Sequence, residues 1–318
     1  MKKIFRYLLV LVLIVAVLAG GFTAFVALRG IPSFTPEKIS LKVEASAARL
    51  ARGQKLASML CKGCHYDEGT GKFTGRKMSE VPQFGEVYSR NITKDPEAGI
   101  GKWTDGELAV LLRTGVKPDG TFLPPYMPKF IHLSDEDFQS VIAFVRSDHP
   151  WVQPDNSRVP ATKPSFLTKF LCTIGAVKPF PYPKETIAEP DTTNRVKWGQ
   201  YIALNQLECF SCHSQDFAKN DYFHPEKSPG FFGGGNEMYD KEGRKIKTQN
   251  ITMDETGIGA LSEDDFVKAV KTGLLPGNQP ALRYPMQPYL PLSDNEVKAI
   301  YAYLKTVPKI KNKVDRNL

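Results

Sequence analysis

Cysteine and histidine are both scarce in this chain, which has only five of each among its 318 residues. So few cysteines exclude the dense disulfide framework of a small secreted domain. The formal net charge is +8, but the basic residues do not cluster on one predicted helix, which argues against a nucleic-acid-binding surface. The length leaves room for about two domains with separate cores.

Four of the five cysteines belong to two copies of one short motif. The copies are Cys61-Lys62-Gly63-Cys64-His65 and Cys209-Phe210-Ser211-Cys212-His213. Two cysteines three positions apart, followed directly by histidine, form the attachment pattern of c-type haem. The two thiols can reach both vinyl groups of one porphyrin, and the imidazole can bind its iron. A zinc site is the alternative, but it would need four converging ligands, whereas each copy has its own histidine. We therefore expect two covalently attached haem c groups.

The fifth cysteine, Cys172, has no partner among these motifs. Outside the cytosol, a single thiol can pair between two molecules. Cysteine is also a small apolar residue that proteins often bury. We favour a partly buried Cys172 that packs as an apolar side chain.

An apolar segment opens the chain. The run Tyr7–Leu28 has 22 residues without a charge and follows three basic residues. As a helix it would be about 33 Å long, enough to cross the hydrocarbon core of a bilayer. Because basic residues stay on the cytoplasmic side, the rest of the chain would lie on the periplasmic side of a bacterial cytoplasmic membrane. A signal peptide cleaved after Gly21 is the alternative. Continuation of the apolar run to Leu28 favours a single-pass anchor over residues 1–29.

The second half of the chain repeats the first. The matched segments are Asn91-Ile92-Thr93 with Asn250-Ile251-Thr252, Gly99-Ile100-Gly101 with Gly257-Ile258-Gly259, and Leu133-Ser134-Asp135 with Leu292-Ser293-Asp294. The offset is 148 at the cysteines and 158 to 159 later, which predicts an insertion of about ten residues, placed at Gly230–Asp240. The repeat predicts two homologous domains at residues 45–150 and 191–310. Between them, residues 151–190 form a proline-rich connector in which no helical period survives.

Helical patterns accompany the repeat. In the first half the apolar spacing predicts helices at Glu44–Leu60 and Thr104–Arg113, and a third that begins at Ser134, with Asp137 placed to cap it. Residues Gly30–Leu41 have the composition of a short tether between the anchor and the first domain.

The opposite face of each iron needs a second ligand, and the repeat provides a test for it. Of the seven methionines, only Met127 and Met286 occupy equivalent positions, each among prolines that fix the local backbone. Core gap-filling is the alternative role for these residues. We expect His65 and Met127 to bind one iron, and His213 and Met286 to bind the other. Six-coordinate iron of this kind is closed to substrate and suits single-electron transfer.

These segments resemble the class I cytochrome c superfamily, and more narrowly the membrane-attached cytochrome c subunits of periplasmic alcohol, aldehyde and gluconate dehydrogenases. The resemblance covers residues 45–150 and 191–310. It implies an all-α fold with two tandem cytochrome c-type helical domains after the N-terminal transmembrane helix. In this fold the first and last helices of each domain cross, at Gly53 with Phe144 and at Gly199 with Tyr303. Those dehydrogenase subunits carry three haem domains, whereas this chain has two motifs.

The predicted function is that of a membrane-anchored dihaem cytochrome. It would pass electrons from a periplasmic donor, such as a dehydrogenase, to a respiratory acceptor, within a dehydrogenase or oxidase complex or as a free carrier. One alternative is a dihaem redox enzyme, such as a peroxidase or a thiosulfate-oxidising cytochrome, in which one haem face is open. The other is a passive subunit that stabilises a partner enzyme. The matched methionines favour electron transfer over catalysis.

Overall fold

The computed structural model describes residues 2–240, 242–277 and 279–315, and most of its regular structure is helical. The helices are α1 (Lys2–Arg29), α2 (Ala47–Leu60), α3 (Lys62–His65), α4 (Asp105–Thr114), α5 (Asp135–Val145), α6 (Phe166–Thr173), α7 (Arg195–Tyr201), α8 (Cys209–His213), α9 (Glu263–Thr272) and α10 (Asp294–Leu304). The strands are β1 (Gly85–Glu86), β2 (Lys163–Pro164), β3 (Glu237–Tyr239) and β4 (Lys245–Lys247). They form two antiparallel pairs, β1 with β2 and β3 with β4. The fold is therefore mostly helical, as expected, but it is not purely α.

Helix α1 contains the whole of the predicted apolar run. It is long and apolar enough to cross a membrane, and of its described residues only Val26 is buried. Helices that bury no apolar face within their own protein are suited to an apolar environment. Its length and position fit both a membrane anchor and a signal sequence.

Two helix crossings organise the rest of the chain. A Cβ atom added to Gly53 of α2 would lie 1.9 Å from the carbonyl oxygen of Ser140 in α5. A Cβ atom added to Gly199 of α7 would lie 1.8 Å from the carbonyl oxygen of Ala299 in α10. Such close backbone approach is open only to glycine. The two crossings implied by the resemblance are thus both present, at equivalent places in the repeat.

The predicted helices of the first half are present, with small changes at their ends. Helix α2 begins at Ala47 because the Ser46 side chain accepts a hydrogen bond from the amide of Arg49. Helix α4 begins after Thr104, which forms a reciprocal capping box with Glu107. In α5, the Ser134 side chain accepts the Asp137 amide, as predicted.

The connector differs from expectation, because it contains a helix. Helix α6 lies between Pro164 and Pro179 and begins after Ser165, whose side chain accepts a hydrogen bond from the amide of Thr168. Residues 151–190 also contain strand β2, which pairs with β1 of the first half. The prediction of no helix here was wrong, because a helix of eight residues is too short to establish a period among so many prolines.

Cys172 lies in α6 and is 3% exposed. It packs in a small apolar cluster with Val110, Val116 and Phe122. The expected packing role is therefore observed, and the thiol is turned away from solvent.

The predicted tether is a docked segment of the first half. The amide of Phe34 donates to the carbonyl of Gly120 over 2.9 Å, and the Phe34 ring contacts the ring of Phe122 edge to face. Further along, the amide of Val43 donates to the Asp105 carboxylate over 2.9 Å. The segment after α1 therefore follows the surface of the first half instead of hanging free.

The insertion in the second half lies earlier than predicted. The amide of Ile92 donates to the carbonyl of Phe73, and the amide of Ile251 donates to that of Phe232. Phe73 and Phe232 are already 159 positions apart, so the extra residues precede Phe232. They lie within residues 214–231, which contain two short 3-10 helices, and the glycine-rich segment after them matches residues of the first half.

One continuous apolar core contains residues from both halves, and polar contacts join them as well. The hydroxyl of Tyr201 donates to the Asp137 carboxylate over 2.6 Å and accepts the Ser134 amide over 2.9 Å. The Lys55 ammonium contacts both carboxylate oxygens of Glu296, at 2.5 and 2.6 Å. The cap of α5 thus binds the second half, and the cap of α10 binds the first.

Candidate haem sites

The first motif occupies a tight turn at the end of α2. The amide of Cys61 still donates to Ala57 in the last turn of α2, and Lys62–His65 then form the one-turn helix α3. The Nδ1 atom of His65 lies 2.7 Å from the carbonyl oxygen of Arg90. Because a carbonyl only accepts, Nδ1 carries the proton, and Nε2 keeps the lone pair that can bind a metal.

The second motif has the same arrangement. It forms α8, and the Nδ1 atom of His213 lies 2.7 Å from the carbonyl oxygen of Gln249. Arg90 and Gln249 directly precede the repeated Asn-Ile-Thr tripeptides, in which Asn91 and Asn250 accept hydrogen bonds from the threonine two residues later. The sequence analysis did not identify these two carbonyls. Their position before a repeated tripeptide was the available signal.

A glycine fixes the backbone behind each histidine. The amide of Gly75 donates to the His65 carbonyl over 2.9 Å, and the amide of Gly234 donates to the His213 carbonyl over 2.7 Å. Both glycines have left-handed φ angles, 88° and 68°. An added Cβ would lie 2.3 Å from the carbonyl oxygen of Ser89 or 2.4 Å from the carbonyl carbon of Gln249. Only glycine satisfies both the conformation and the space.

Burial changes the pKa values of the histidine and cysteine side chains in both motifs. Burial lowers the pKa of His65 and of His213, which keeps both imidazoles neutral, the form that binds iron. Burial also raises the pKa of Cys61 and of Cys209 to about 12. All five cysteines are free thiols. Each motif therefore presents two unpaired thiols and one oriented imidazole, which is the donor set that haem c requires.

The two candidate methionines lie in equivalent loops. In the first half the loop that contains Met127 leaves α4 and returns to it, since the amide of Leu123 donates to Gly115 and that of Phe130 to Leu112. In the second half the loop that contains Met286 is attached to α9 by equivalent bonds, from Leu282 to Gly273 and from Tyr289 to Val270. Both methionines are partly buried.

The second of these loops lies beside its own cysteine motif. Burial, together with the nearby thiols of Cys209 and Cys212, raises the pKa of the Tyr289 hydroxyl. Tyr289 follows Met286 by three residues. The loop is thus close to the motif whose iron Met286 is predicted to bind.

Lys129 stabilises the first methionine loop in a way that the sequence analysis missed. Its ammonium is buried and donates to the carbonyls of Pro124 and Met127, over 2.8 and 2.6 Å. Burial lowers the pKa of Lys129 to about 7. The equivalent residue of the second half is Pro288, which restricts the backbone covalently. Besides the prolines that occur in both loops, the first loop is thus held by a buried ammonium that the second lacks at the equivalent position.

The second methionine loop also contacts the first cysteine motif. The side-chain amide of Gln287 donates to the carbonyl of Met59 over 3.1 Å, and a Cβ added to Gly63 would lie 3.2 Å from Gln287 Oε1. The Arg76 guanidinium donates to the Gly63 carbonyl over 2.7 Å and pairs with Glu80. The Tyr284 hydroxyl, from the second loop, also donates to Glu80. The first motif therefore lies against the segment around Met286.

Histidines outside the motifs have structural contacts. The Nε2 atom of His132 donates to the carbonyl of Tyr222 over 2.8 Å, and Nδ1 of His149 accepts the amide of Trp151. Within residues 2–240, 242–277 and 279–315, no group of three or more histidine, cysteine or acidic side chains is placed to hold a separate metal ion. The ring nitrogens of His132 and His149 named here thus bind backbone groups.

Comparison with known proteins shows that the chain is similar to c-type cytochromes. The family model for cytochrome c matches residues 50–148. The chain is 27% identical over 279 residues to the cytochrome c subunit of a quinone-type alcohol dehydrogenase from Gluconacetobacter polyoxogenes, covering 84% of this chain and 58% of that protein. It is 29% identical to the fructose dehydrogenase cytochrome subunit of Gluconobacter japonicus, covering 83% and 54%.

A diheme cytochrome c-type protein from Cereibacter sphaeroides is also similar, at 29% identity, with 71% of this chain and 73% of that protein covered. The chain spans only somewhat more than half the length of the dehydrogenase subunits. Residues 50–148 thus match the cytochrome c family, in which haem c is covalently bound, and the chain is similar to the cytochrome c subunits of dehydrogenases.

Proposed function

We propose that this protein is a membrane-anchored dihaem c-type cytochrome that passes single electrons from a periplasmic dehydrogenase to a respiratory acceptor. The observation that carries the proposal is the duplicated site: two free thiols, an imidazole oriented by a carbonyl, and a methionine loop recur at matching positions in both halves. Bound haem would supply a one-electron couple at each site. The named relatives are cytochrome subunits of dehydrogenases or a diheme cytochrome, which supports the same class of function.

In this proposal the residues of each half bind one haem. Cys61, Cys64 and His65 would attach and ligate the first group, and Met127 would supply its second protein ligand. Cys209, Cys212, His213 and Met286 would do the same for the second. The carbonyls of Arg90 and Gln249 hold the imidazoles in the ligating tautomer. The domains would be residues 45–150 and 191–310.

Electron exchange between the two haems would follow from the contacts between the halves. Gln287, next to Met286, bonds to the last turn of α2 before Cys61. Arg76 and Tyr284 meet at Glu80 from opposite halves. These contacts hold the first cysteine motif against the loop of the second half. We therefore expect one site to receive electrons from the donor and to pass them on within the molecule.

The methionine assignment is tested by Met127→Leu and Met286→Leu. Each substitution preserves volume but removes the thioether. Each should abolish one methionine-to-iron charge-transfer band and lower one of the two reduction potentials, because thioether ligation favours ferrous iron. Near-infrared absorption and a redox titration of the full-length protein measure both effects. Met253→Leu, in the second half, is the matched control and should change neither. Unaltered bands in Met127→Leu or in Met286→Leu would remove that residue from the ligand set.

The electron-transfer role is tested in membranes. Membranes that contain the wild-type protein should reduce oxygen when the co-purifying dehydrogenase receives its substrate, and a His213→Ala variant should not sustain this flux. Haem content measured by mass spectrometry shows whether that variant still carries both groups. Equal flux with and without the protein would contradict the proposed role.

A further inference from the structure

Helix α6 turns its small side chains toward the protein and its large apolar side chains outward. The side that faces the protein buries the small residues Thr168 and Cys172. The outward side and the following turn expose large apolar side chains, with Phe166 at 47%, Leu167 at 57% and Ile174 at 52% exposure. Contiguous apolar surface of this kind marks a site of association with a protein or a membrane. We call the outward residues Phe166, Leu167, Phe170 and Ile174 the α6 apolar face.

This face is continuous with the C-terminal end of α1. The rings of Phe22 and Phe170 meet edge to face, with centroids 6.2 Å apart, and Phe170 stacks on Phe166 at 6.3 Å. The Lys169 ammonium donates to the carbonyl of Ala27 over 3.1 Å. Val26, the one buried residue among those described in α1, lies in the same part of the helix. The position of α6 is therefore fixed relative to the last two turns of the apolar helix.

The depth at which this contact would lie in a bilayer follows from the length of α1. A helical run of about 20 residues crosses a hydrocarbon core of about 30 Å. Counted from Tyr7, the first residue after the basic segment, such a run ends near Val26. Phe22 to Ala27 thus lie at the outer boundary between acyl chains and head groups, and α6 lies beside them. Aromatic side chains are favoured at that boundary.

The charge of the surrounding segment suits a phospholipid surface. From Ser157 to Lys184 the chain has no acidic residue and has five basic ones, Arg158, Lys163, Lys169, Lys178 and Lys184. One of them, Lys163, pairs with Glu86. Short amphipathic helices with apolar and basic residues bind in the interface plane, and each basic residue adds attraction to anionic lipid.

We propose that α6 is a second membrane contact, which inserts its apolar face into the outer leaflet beside α1 and fixes the orientation of the haem-bearing halves above the bilayer. The inference rests on the proposed membrane anchor. It adds a surface whose ligand is phospholipid, and it requires α6 to lie at the depth of the head groups.

The test uses the full-length, haem-loaded protein in liposomes of phosphatidylcholine with a minority of phosphatidylglycerol. Nitroxide labels are attached at Leu167→Cys and Ile174→Cys, and at Asp148→Cys as the control, since the Asp148 side chain is 97% exposed and belongs to the turn after α5. Because Cys172 is buried, the unsubstituted chain should take up little label and serves as the background. All three label sites are exposed, and haem absorption spectra check the fold of each variant.

The readout is the ratio of collisions with oxygen, which partitions into the bilayer, to collisions with a water-soluble nickel chelate. We expect this ratio to be several-fold higher at Leu167 and Ile174 than at Asp148. Equal ratios at the three sites in protein that floats with the liposomes would overturn the α6 proposal alone and would leave its apolar face to a protein partner. Failure of the protein to float with the liposomes would overturn the anchor and the α6 contact together. The methionine spectra would remain an independent test of the haem assignment.

Discussion

Replacing Gly53 by alanine should destabilise the first half by a predictable amount. The new Cβ would lie 1.9 Å from the Ser140 carbonyl oxygen and 2.8 Å from the Phe144 Cβ, whereas ordinary contacts begin at 3.4 Å. Backbone atoms cannot rotate away, so α2 and α5 would have to separate by about 1.5 Å, and gaps of that size forfeit much of the dispersion energy along the interface. Overpacking of this kind costs up to about 3 kcal/mol. Alanine recovers about 1 kcal/mol of helix propensity, which leaves a loss of about 2 kcal/mol.

Urea unfolding of the full-length protein, followed by circular dichroism, measures this loss. The control is Ala51→Gly on the exposed side of the same helix, which removes only propensity and should cost about 1 kcal/mol. Gly199→Ala should behave like Gly53→Ala, because its Cβ would lie 1.8 Å from the Ala299 carbonyl oxygen. A Gly53→Ala protein that unfolds at the same urea concentration as wild type, or a higher one, would refute the packing argument.

Two further substitutions test the contacts between the halves. Tyr201→Phe removes the buried hydroxyl that bonds to Asp137 and Ser134 and should lower the free energy of unfolding in urea by about 1–3 kcal/mol. The control, Tyr301→Phe, loses one bond to Leu261 within the second half and should cost less. Equal losses would contradict the linking role of Tyr201. Burial opposes ionisation of Glu296, but hydrogen bonds from Lys55 and Ser293 lower its pKa below the ordinary 4.5. The contribution of the Glu296 carboxylate to stability is therefore present above pH 4.5 and is lost as the pH falls through the folded-state pKa. Glu296→Gln should therefore destabilise the protein at neutral pH and have a smaller effect at about pH 3, and an effect independent of pH would exclude the ion pair as its cause.

The repeat made much of the site predictable. The repeated motifs, tripeptides and methionine positions could be matched because the residue spacing within each half is visible in the sequence. The crossing glycines could be inferred because the resemblance assigns them to the first helices. The imidazole partners could not be inferred from side chains, because Arg90 and Gln249 contribute only their carbonyls.

Other features depend on contacts that sequence spacing does not reveal. Helix α6 has only eight residues and lies among many prolines, so the sequence does not display a clear helical period there. The place of the insertion required knowing which of several nearby glycines, from Gly230 to Gly235, bonds to the His213 carbonyl. From the sequence, Lys129 would be assigned to the surface. In the structure its ammonium is buried and bonds to the methionine loop.

The docked segment after α1 limits how the proposed cytochrome could meet redox partners. Twelve free residues from Gly30 to Leu41 could extend about 40 Å and would let a cytochrome swing between a donor and an acceptor fixed in place. Bonds from Phe34 to Gly120 and from Val43 to Asp105 remove that reach. With α1 in the bilayer, encounters would then depend on lateral diffusion of the whole molecule, and the abundance of partners in the same plane would limit the rate of electron delivery.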